Sequence, residues 1–274
     1  MMDIKLAWLP ERPAKPRTKG LTVLQDDGLS LVNIEDIIST SGHLIDLVRI
    51  SPNAIFSAES LSERVRKYKQ AGISPFVSGF MFEAAYIRDS LNNYLDFLEA
   101  SGFDHIEVSD GIVEIAPGEK AEIIQNLSGR FLVISKIGAK FKKAFFRYTK
   151  WKEYITAESR AGSHKIIIEG GEAGTSQIIS GKIDINLNLV NHILSITDPE
   201  LIIWEAPRKN QQIWFINKLG VDVNLADICP QHVLGLESQR LGMHWKTLSN
   251  NLPESLTKER LRKIDPMQNI DFQI

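Results

Sequence analysis

One unit recurs along this chain and constrains its fold more than any other feature: an amphipathic stretch, a glycine, a short apolar run, then a polar residue. It reads KQAGISPFVSG, EASGFDHIEVSDG, NLSGRFLVISK, SRAGSHKIIIEGG and NKLGVDVNLAD. The glycine in each copy (Gly72, Gly102, Gly129, Gly162, Gly220) directly follows a helical pattern, where a residue in the left-handed conformation ends a helix. ELIIWEAP repeats the apolar-then-acidic form without the glycine, GLTVLQDDG reads as a first strand, and LIDLVRIS supplies another. Eight strands are therefore predicted, starting near Leu21, Leu44, Pro75, Ile106, Phe131, Lys165, Leu201 and Val221, most of them followed by a helix. Runs such as KIIIE and LIIWE are apolar on both faces, as in a parallel sheet covered on both sides.

Eight alternating units in 274 residues predict an α/β fold, a (β/α)8 TIM barrel. A doubly wound open sheet is the structural alternative, and the absence of a G-x-G-x-x-G loop after the first strand weighs against it. The expected division is an N-terminal extension over residues 1–18, a single barrel over 19–250, and a C-terminal tail or helix over 251–274. The apolar stripe Leu91, Tyr94, Leu95 and Leu98 reads as a helix face packed on the barrel.

Composition removes several function classes. A formal net charge of -2, spread without long single-sign blocks, lacks the signature of a nucleic-acid binder. The single cysteine, Cys229, cannot form an intramolecular disulfide, and the N-terminus has no signal-like apolar core. No apolar run approaches the roughly 18 residues of a membrane span. A cytoplasmic protein with no membrane or nucleic-acid partner is expected. The six histidines are scattered, with no H-E-x-x-H, and neither G-x-S-x-G nor a P-loop occurs.

In a TIM barrel the chemistry sits at the C-terminal ends of the strands. The residues predicted there are Asp26 and Asp27; Ser78 and Glu83; Glu107, Ser109 and Asp110; Lys136 and Lys140; Glu169 and Glu172; Glu205; and Asn224. Each such carboxylate also has a plain reading as a helix cap or salt-bridge partner, and Asp110-Gly111 would suit a tight turn. Converging carboxylates raise each other's pKa unless a cation compensates them. Hard oxygen donors favour Mg²⁺, which uses one or two carboxylates and keeps its other positions for water or substrate.

The segments KGLTVLQDDGL, GFDHIEVSDG, IIEGGEAG, WEAPRKNQQ and VNLADI together resemble, in order and spacing, the phosphosulfolactate synthases of coenzyme M biosynthesis, from about residue 16 to about 247. The resemblance implies a Mg²⁺-dependent barrel enzyme that adds sulfite to phosphoenolpyruvate, a small anionic substrate, giving 2-phospho-3-sulfolactate. It implies Lys140 as general acid, at the second basic position of the motif E-V-G-x-K, with Glu107 and Asp110 of an E-I-S-D-G motif beside it. Together with the strand-end placement it assigns Asp26, Ser109, Lys136, Glu172 and Asn224 to substrate, and Glu107, Glu169 and Glu205 to the metal.

The departures fall on the anion-binding side. Lys136 stands where the family motif has glutamate, RISPNAI replaces K-F-G-W-G-T-S, Gly171 replaces an arginine, and GMHWKT places His244 and Lys246 where an arginine and an aspartate are expected. SGFMFE keeps Gly79 and Glu83 of G-G-T-L-F-E. Lys136, Lys246, Arg208 or Arg49 would then supply the missing charge from another direction. The alternative is a non-catalytic or stress-related family member that has lost its phosphate-binding residues. Association into a homo-oligomer is expected, with Ile270, Phe272 and Ile274 available for contact.

Overall fold

The structure, a computed structural model, describes residues 6–57, 61–138, 148–169, 179–180 and 184–261. Eight parallel strands run over Thr22–Asp26, Leu47–Ile50, Ser74–Val77, His105–Val108, Leu132–Ile137, Lys165–Ile168, Ile202–Glu205 and Leu225–Ile228, called the first to the eighth below. Hydrogen bonding joins them in the order 3-2-1-8-7-6-5-4, and the third and fourth strands lie side by side. The sheet is thus a nearly closed barrel with helices outside it, the predicted (β/α)8 architecture. A short antiparallel pairing of Ile179–Ser180 with Asp184–Ile185 stands apart from the barrel sheet.

The apolar runs are continuous because each strand packs on both faces. Val23, Leu47, Phe76, Ile134, Ile167, Ile203 and Ala226 fill the barrel interior. Their neighbours Leu24, Val48, Val133, Ile166, Ile168, Ile202 and Leu225 point outward into the layer shared with the helices. In that layer Tyr94, Leu95 and Leu98 of helix Leu91–Ala100 are buried, as their spacing predicts. This two-sided burial is the main stabilising contribution, at roughly 1.5–3 kcal/mol for each large apolar side chain before conformational entropy is counted.

Four of the five predicted helix-ending glycines take positive φ: Gly72, Gly102, Gly162 and Gly220. Gly129 does not. After helix Pro117–Leu127 the N–H groups of Arg130 and Phe131 both donate to the Leu127 carbonyl at 2.9 Å, which closes the helix end without a left-handed residue. Two strands begin later than their sequence suggests. Residues Gly42–Leu44 form a 3₁₀ turn before the second strand, and a turn after Gly220 delays the eighth to Leu225.

The N-terminal extension is built into the base of the barrel. Arg12 pairs with Asp222 at 2.8 Å and Glu237 at 3.1 Å, and Arg17 pairs with Asp46 at 2.9 Å. No helix among the described residues is long and apolar enough to cross a membrane.

Candidate active site

Moving along four of the strands from the apolar interior layer toward the C-terminal end, the next inward position is charged. Arg49 follows Leu47, Lys136 follows Ile134, Glu169 follows Ile167 and Glu205 follows Ile203, while Glu107 is the penultimate residue of the fourth strand. These side chains form one ring across the barrel mouth. The Arg49 guanidinium lies at its centre, with Nε 3.0 Å from Glu107 Oε2, both Nη atoms 3.1 Å from Glu205 Oε1, and Nη1 2.5 Å from Asp227 Oδ1. Lys136 Nζ lies 2.7 Å from the same Glu205 oxygen and 3.7 Å from Glu169 Oε1.

Two glycines let the ring close. A Cβ on Gly79 would sit 2.7 Å from Glu107 Oε1, and one on Gly138 would sit 2.3 Å from Glu169 Oε2, both impossible contacts. The carboxylates therefore use space that any other residue would fill.

Asp227 is the member that strand alternation hides. Ala226 faces inward, so Asp227 should face out; instead the pairing of the first and eighth strands slips by one residue here, and Asp227 adopts φ +62°. This local bulge turns its carboxylate onto Arg49, a use of bulges that recurs beside active sites. The sequence signal was an acidic residue inside the apolar run NLADI.

The electrostatics of the ring follow from its composition. Burial works against the Arg49 charge, yet Asp227, Glu107 and Glu205 together raise its pKa above the ordinary arginine value. Burial also works against Lys136, where Glu205, Glu107 and Glu169 outweigh it and the nearby Arg49, so the ammonium is held firmly protonated. Asp227 is pushed up to about 6, by burial first, with Arg49 opposing and Glu205 adding. Lys136 and Asp227, at 18% and 22% exposed against 7% for Arg49, are the members most open to a ligand.

Other residues predicted for this end have different tasks. Asp26 is fully buried: its carboxylate pairs with Arg64 at 2.8 Å and accepts from Tyr68 Oη at 3.0 Å and from the N–H groups of Gly28 and Leu29, so it anchors helix Leu61–Gln70 instead of facing substrate. Ser109 donates to Glu83, which also accepts from the N–H groups of Gly111, Ile112 and Val113 and so clamps that loop. Asp110 pairs with Lys120 at 2.9 Å, and Lys120 also holds Glu158 at 2.8 Å, a buried set outside the ring. Asn224 lies at the opposite end of the barrel, because it precedes the eighth strand instead of ending it. There it accepts from Leu21 N–H at 2.9 Å and donates to the carbonyls of Glu200 and Ile202. Lys140 and Glu172 lie outside the described residues.

Of the alternative cations, Arg49 joins the ring. Lys246 stacks on Trp245 instead, and its carbonyl accepts from Asn217 of helix Lys209–Leu219, on the outer surface.

Among the described residues, no three His, Cys, Asp or Glu side chains form a ready metal cage. The donor chemistry still suits Mg²⁺. Glu107, Glu169, Glu205 and Asp227 outnumber the two cations Arg49 and Lys136 that they are paired with here, and a hard divalent ion needs one or two carboxylates.

Comparison with known proteins places this geometry in context. The sequence model of the family described as (2R)-phospho-3-sulfolactate synthase (ComA) matches residues 10–245. A phosphosulfolactate synthase of Bacillus subtilis (strain 168) is 34% identical over 250 residues, covering 90% of this chain and 99% of the relative. Another, from Methanothermobacter thermautotrophicus, is 30% identical over 245 residues, covering 87% and 95%. Among solved structures, the YdjI aldolase from Escherichia coli K12 superposes with TM-score 0.53 at 7% identity, over 88% of this chain and 91% of that one. A 3-hexulose-6-phosphate synthase from Salmonella typhimurium does so with TM-score 0.52 at 12% identity, over 82% and 100%. At these identities the structures bear on the fold alone.

Proposed function

This chain belongs to the phosphosulfolactate synthase family, and on that premise we propose that it adds sulfite to phosphoenolpyruvate, giving 2-phospho-3-sulfolactate, with the charged ring at the barrel mouth as its active site. The observation that carries the reading is the ring itself: Arg49 and Lys136, held by Glu107, Glu169, Glu205 and Asp227 at the strand ends where barrel enzymes do their chemistry.

In the proposed reaction the sulfur lone pair of sulfite forms a bond to the methylene carbon of phosphoenolpyruvate. The carbon-carbon π pair moves onto C2 and the carboxylate, and a proton then adds to C2, so the acceptor double bond is lost and no group leaves. Lys136 and Arg49 are the cations of the ring, and Lys136, the more open, would meet the anionic substrate first. Buried charge-assisted contacts of this kind contribute on the order of 1.5–3 kcal/mol each. Glu107, Glu169 and Glu205 would hold Mg²⁺, one or two of them directly. When bound, Mg²⁺ supplies neutralisation of the charge that builds on the carboxylate. Lys140 is the proposed proton donor to C2, on the strength of the motif match. A lysine whose pKa is lowered by desolvation suits that task.

The test is an assay of the full chain with phosphoenolpyruvate, sulfite and Mg²⁺, followed by ³¹P NMR. Appearance of the phosphosulfolactate signal is expected, and its absence under conditions in which the Bacillus subtilis relative turns over would overturn the synthase reading. Lys136→Glu should weaken phosphoenolpyruvate binding tenfold or more, since it swaps a cation for a further carboxylate; unchanged binding would remove Lys136 from the substrate site.

A second reading, a family member that binds anions without turnover, is favoured by one observation. Arg49 already meets three carboxylates and Lys136 two, so a substrate must compete for both cations. Phosphoenolpyruvate binding by calorimetry without product would select it.

A further inference from the structure

The end of the barrel opposite the charged ring holds a cavity of about 170 Å³, lined among others by Lys15, Arg17, Asp46, His105, His164 and Lys165. Lys15, Arg17 and Lys165 line it beside Asp46, whose carboxylate is already engaged, while Glu200 and Asp198 lie near enough to act on the Lys165 charge and Asp104 holds His105 Nδ1 at 2.6 Å. Asp46 Oδ1 lies 2.9 Å from Arg17 Nε, and Oδ2 accepts from Thr22 N–H at 2.8 Å. The two lysines are held by backbone carbonyls. Lys15 Nζ donates to Gly42 O at 3.2 Å and Ile45 O at 2.5 Å, and Lys165 Nζ to Thr18 O at 3.0 Å and Glu200 O at 2.6 Å.

Carbonyls satisfy N–H donors without cancelling charge. An ammonium has three donors, so each lysine retains one beyond its two carbonyl partners. Burial lowers the pKa of both Lys15 and Lys165, and it lowers His164 as well, with Lys165 and His105 adding. Such a cavity favours whatever brings negative charge and oxygen acceptors into it. Its size admits a tetrahedral oxyanion with waters around it.

We propose that this basal cavity binds a small inorganic oxyanion of the phosphate or sulfate type, held by the remaining N–H donors of Lys15 and Lys165 and by the ring of His164. Because Lys15 and Thr18 belong to the N-terminal segment and Lys165 to the sixth strand, the anion would fasten that segment over the barrel base. The proposal concerns a site separate from the charged ring and does not depend on the activity assigned there.

The histidine rings give a local readout that a second anion at the barrel mouth cannot mimic, since His105 and His164 line the base. Inorganic phosphate is titrated into ¹⁵N-histidine-labelled protein, with each ring signal assigned by a His→Gln variant. Saturable movement of the His164 signal, with an upward shift of its titration, is expected. Lys165→Met should weaken that response tenfold or more, whereas Lys136→Met at the other end should leave it in place. Unmoved His105 and His164 signals in the wild-type chain at tens of millimolar phosphate would overturn the proposal whether or not any variant folds. So would a response that survives Lys165→Met unchanged. A response to phosphoenolpyruvate but not to inorganic phosphate would overturn the assignment to an inorganic anion.

Discussion

The two ends of the barrel treat the same residue types in opposite ways. At the mouth, Arg49 and Lys136 are buried among carboxylates, and their pKa values rise despite burial. At the base, the half-buried Lys15 and the buried Lys165 are held by carbonyls and fall below the ordinary lysine value, and burial, with Arg12 adding, brings Arg240 down to about 9. Arg240 there donates to the carbonyls of Val223 at 2.7 Å and Leu21 at 3.2 Å. Both ends satisfy hydrogen bonds; the mouth pairs both its cations with carboxylates, whereas at the base Arg12 and Arg17 pair with carboxylates while Lys15, Lys165 and Arg240 are held by carbonyls. The mouth thus stores negative charge around fixed cations, which suits chemistry on an anion assisted by a divalent metal. The base holds part of its positive charge on carbonyls.

The largest test of this contrast is Arg49→Met. Removing the guanidinium leaves Glu107, Glu205 and Asp227 buried beside one another without their shared partner, and breaking a buried pair in this way costs about 3–5 kcal/mol. Urea denaturation at neutral pH should show that loss, and acidification should recover part of it as the carboxylates take up protons. A loss under about 1 kcal/mol would mean that the ring does not hold its carboxylates through Arg49.

Next comes Asn224→Ala at the base. The side chain satisfies one backbone N–H and two carbonyls linking the strand ends, so its loss should cost about 2–3 kcal/mol in the same denaturation experiment. Because Asn224 lies at the far end from the ring, the KM for phosphoenolpyruvate should stay unchanged. A raised KM at full structural integrity would return Asn224 to the substrate site.

How much of this was legible in the sequence depends on which periodicity carried it. The barrel was legible because its helix-glycine-strand unit repeats, and Glu107, Lys136, Glu169 and Glu205 were legible because each stands where an apolar run ends. The same rule misplaced Asn224, since Val221 and Val223 imitate a strand while a turn after Gly220 delays the real one. It missed Asp227 because a bulge breaks the alternation by which inward positions are counted. It also could not see that Asp26, at a strand end like the others, is consumed by Arg64 and Tyr68 from a helix more than thirty residues away. Such partners are fixed by tertiary packing, which local pattern does not encode.

Asp227 offers a smaller test with a defined sign. Its folded-state value of about 6 lies above the ordinary 3.8, so the folded protein holds this proton more tightly than the unfolded chain. Its contribution to stability is therefore greatest below pH 4 and falls as pH rises from about 4 to about 6. Asn has no such titration and tolerates positive φ. Stability of the wild type relative to Asp227→Asn should drop by roughly 1–3 kcal/mol between pH 4 and pH 7. A difference that is flat with pH would place the aspartate in an ordinary, unperturbed environment.

The smallest expected effect is the one that bears most directly on the contrast. Lys165 is as buried as the ring cations, and if burial alone set the cost, Lys165→Met would be as damaging as Arg49→Met. The two differ in what removal leaves behind. At the mouth, three carboxylates lose their shared countercharge; at the base, two carbonyls lose a donor while a charge that burial disfavours more than Glu200 and Asp198 support leaves a low-dielectric setting, which returns part of its desolvation cost. The methionine keeps most of the apolar stem in place. The net loss should be about 1 kcal/mol, read by urea denaturation in phosphate-free buffer, with added phosphate stabilising the wild type but not the variant. A loss comparable to that of Arg49→Met would show that the carbonyl partners hold the base together as strongly as ion pairs hold the mouth, and the distinction between the two ends would then be one of geometry and not of charge.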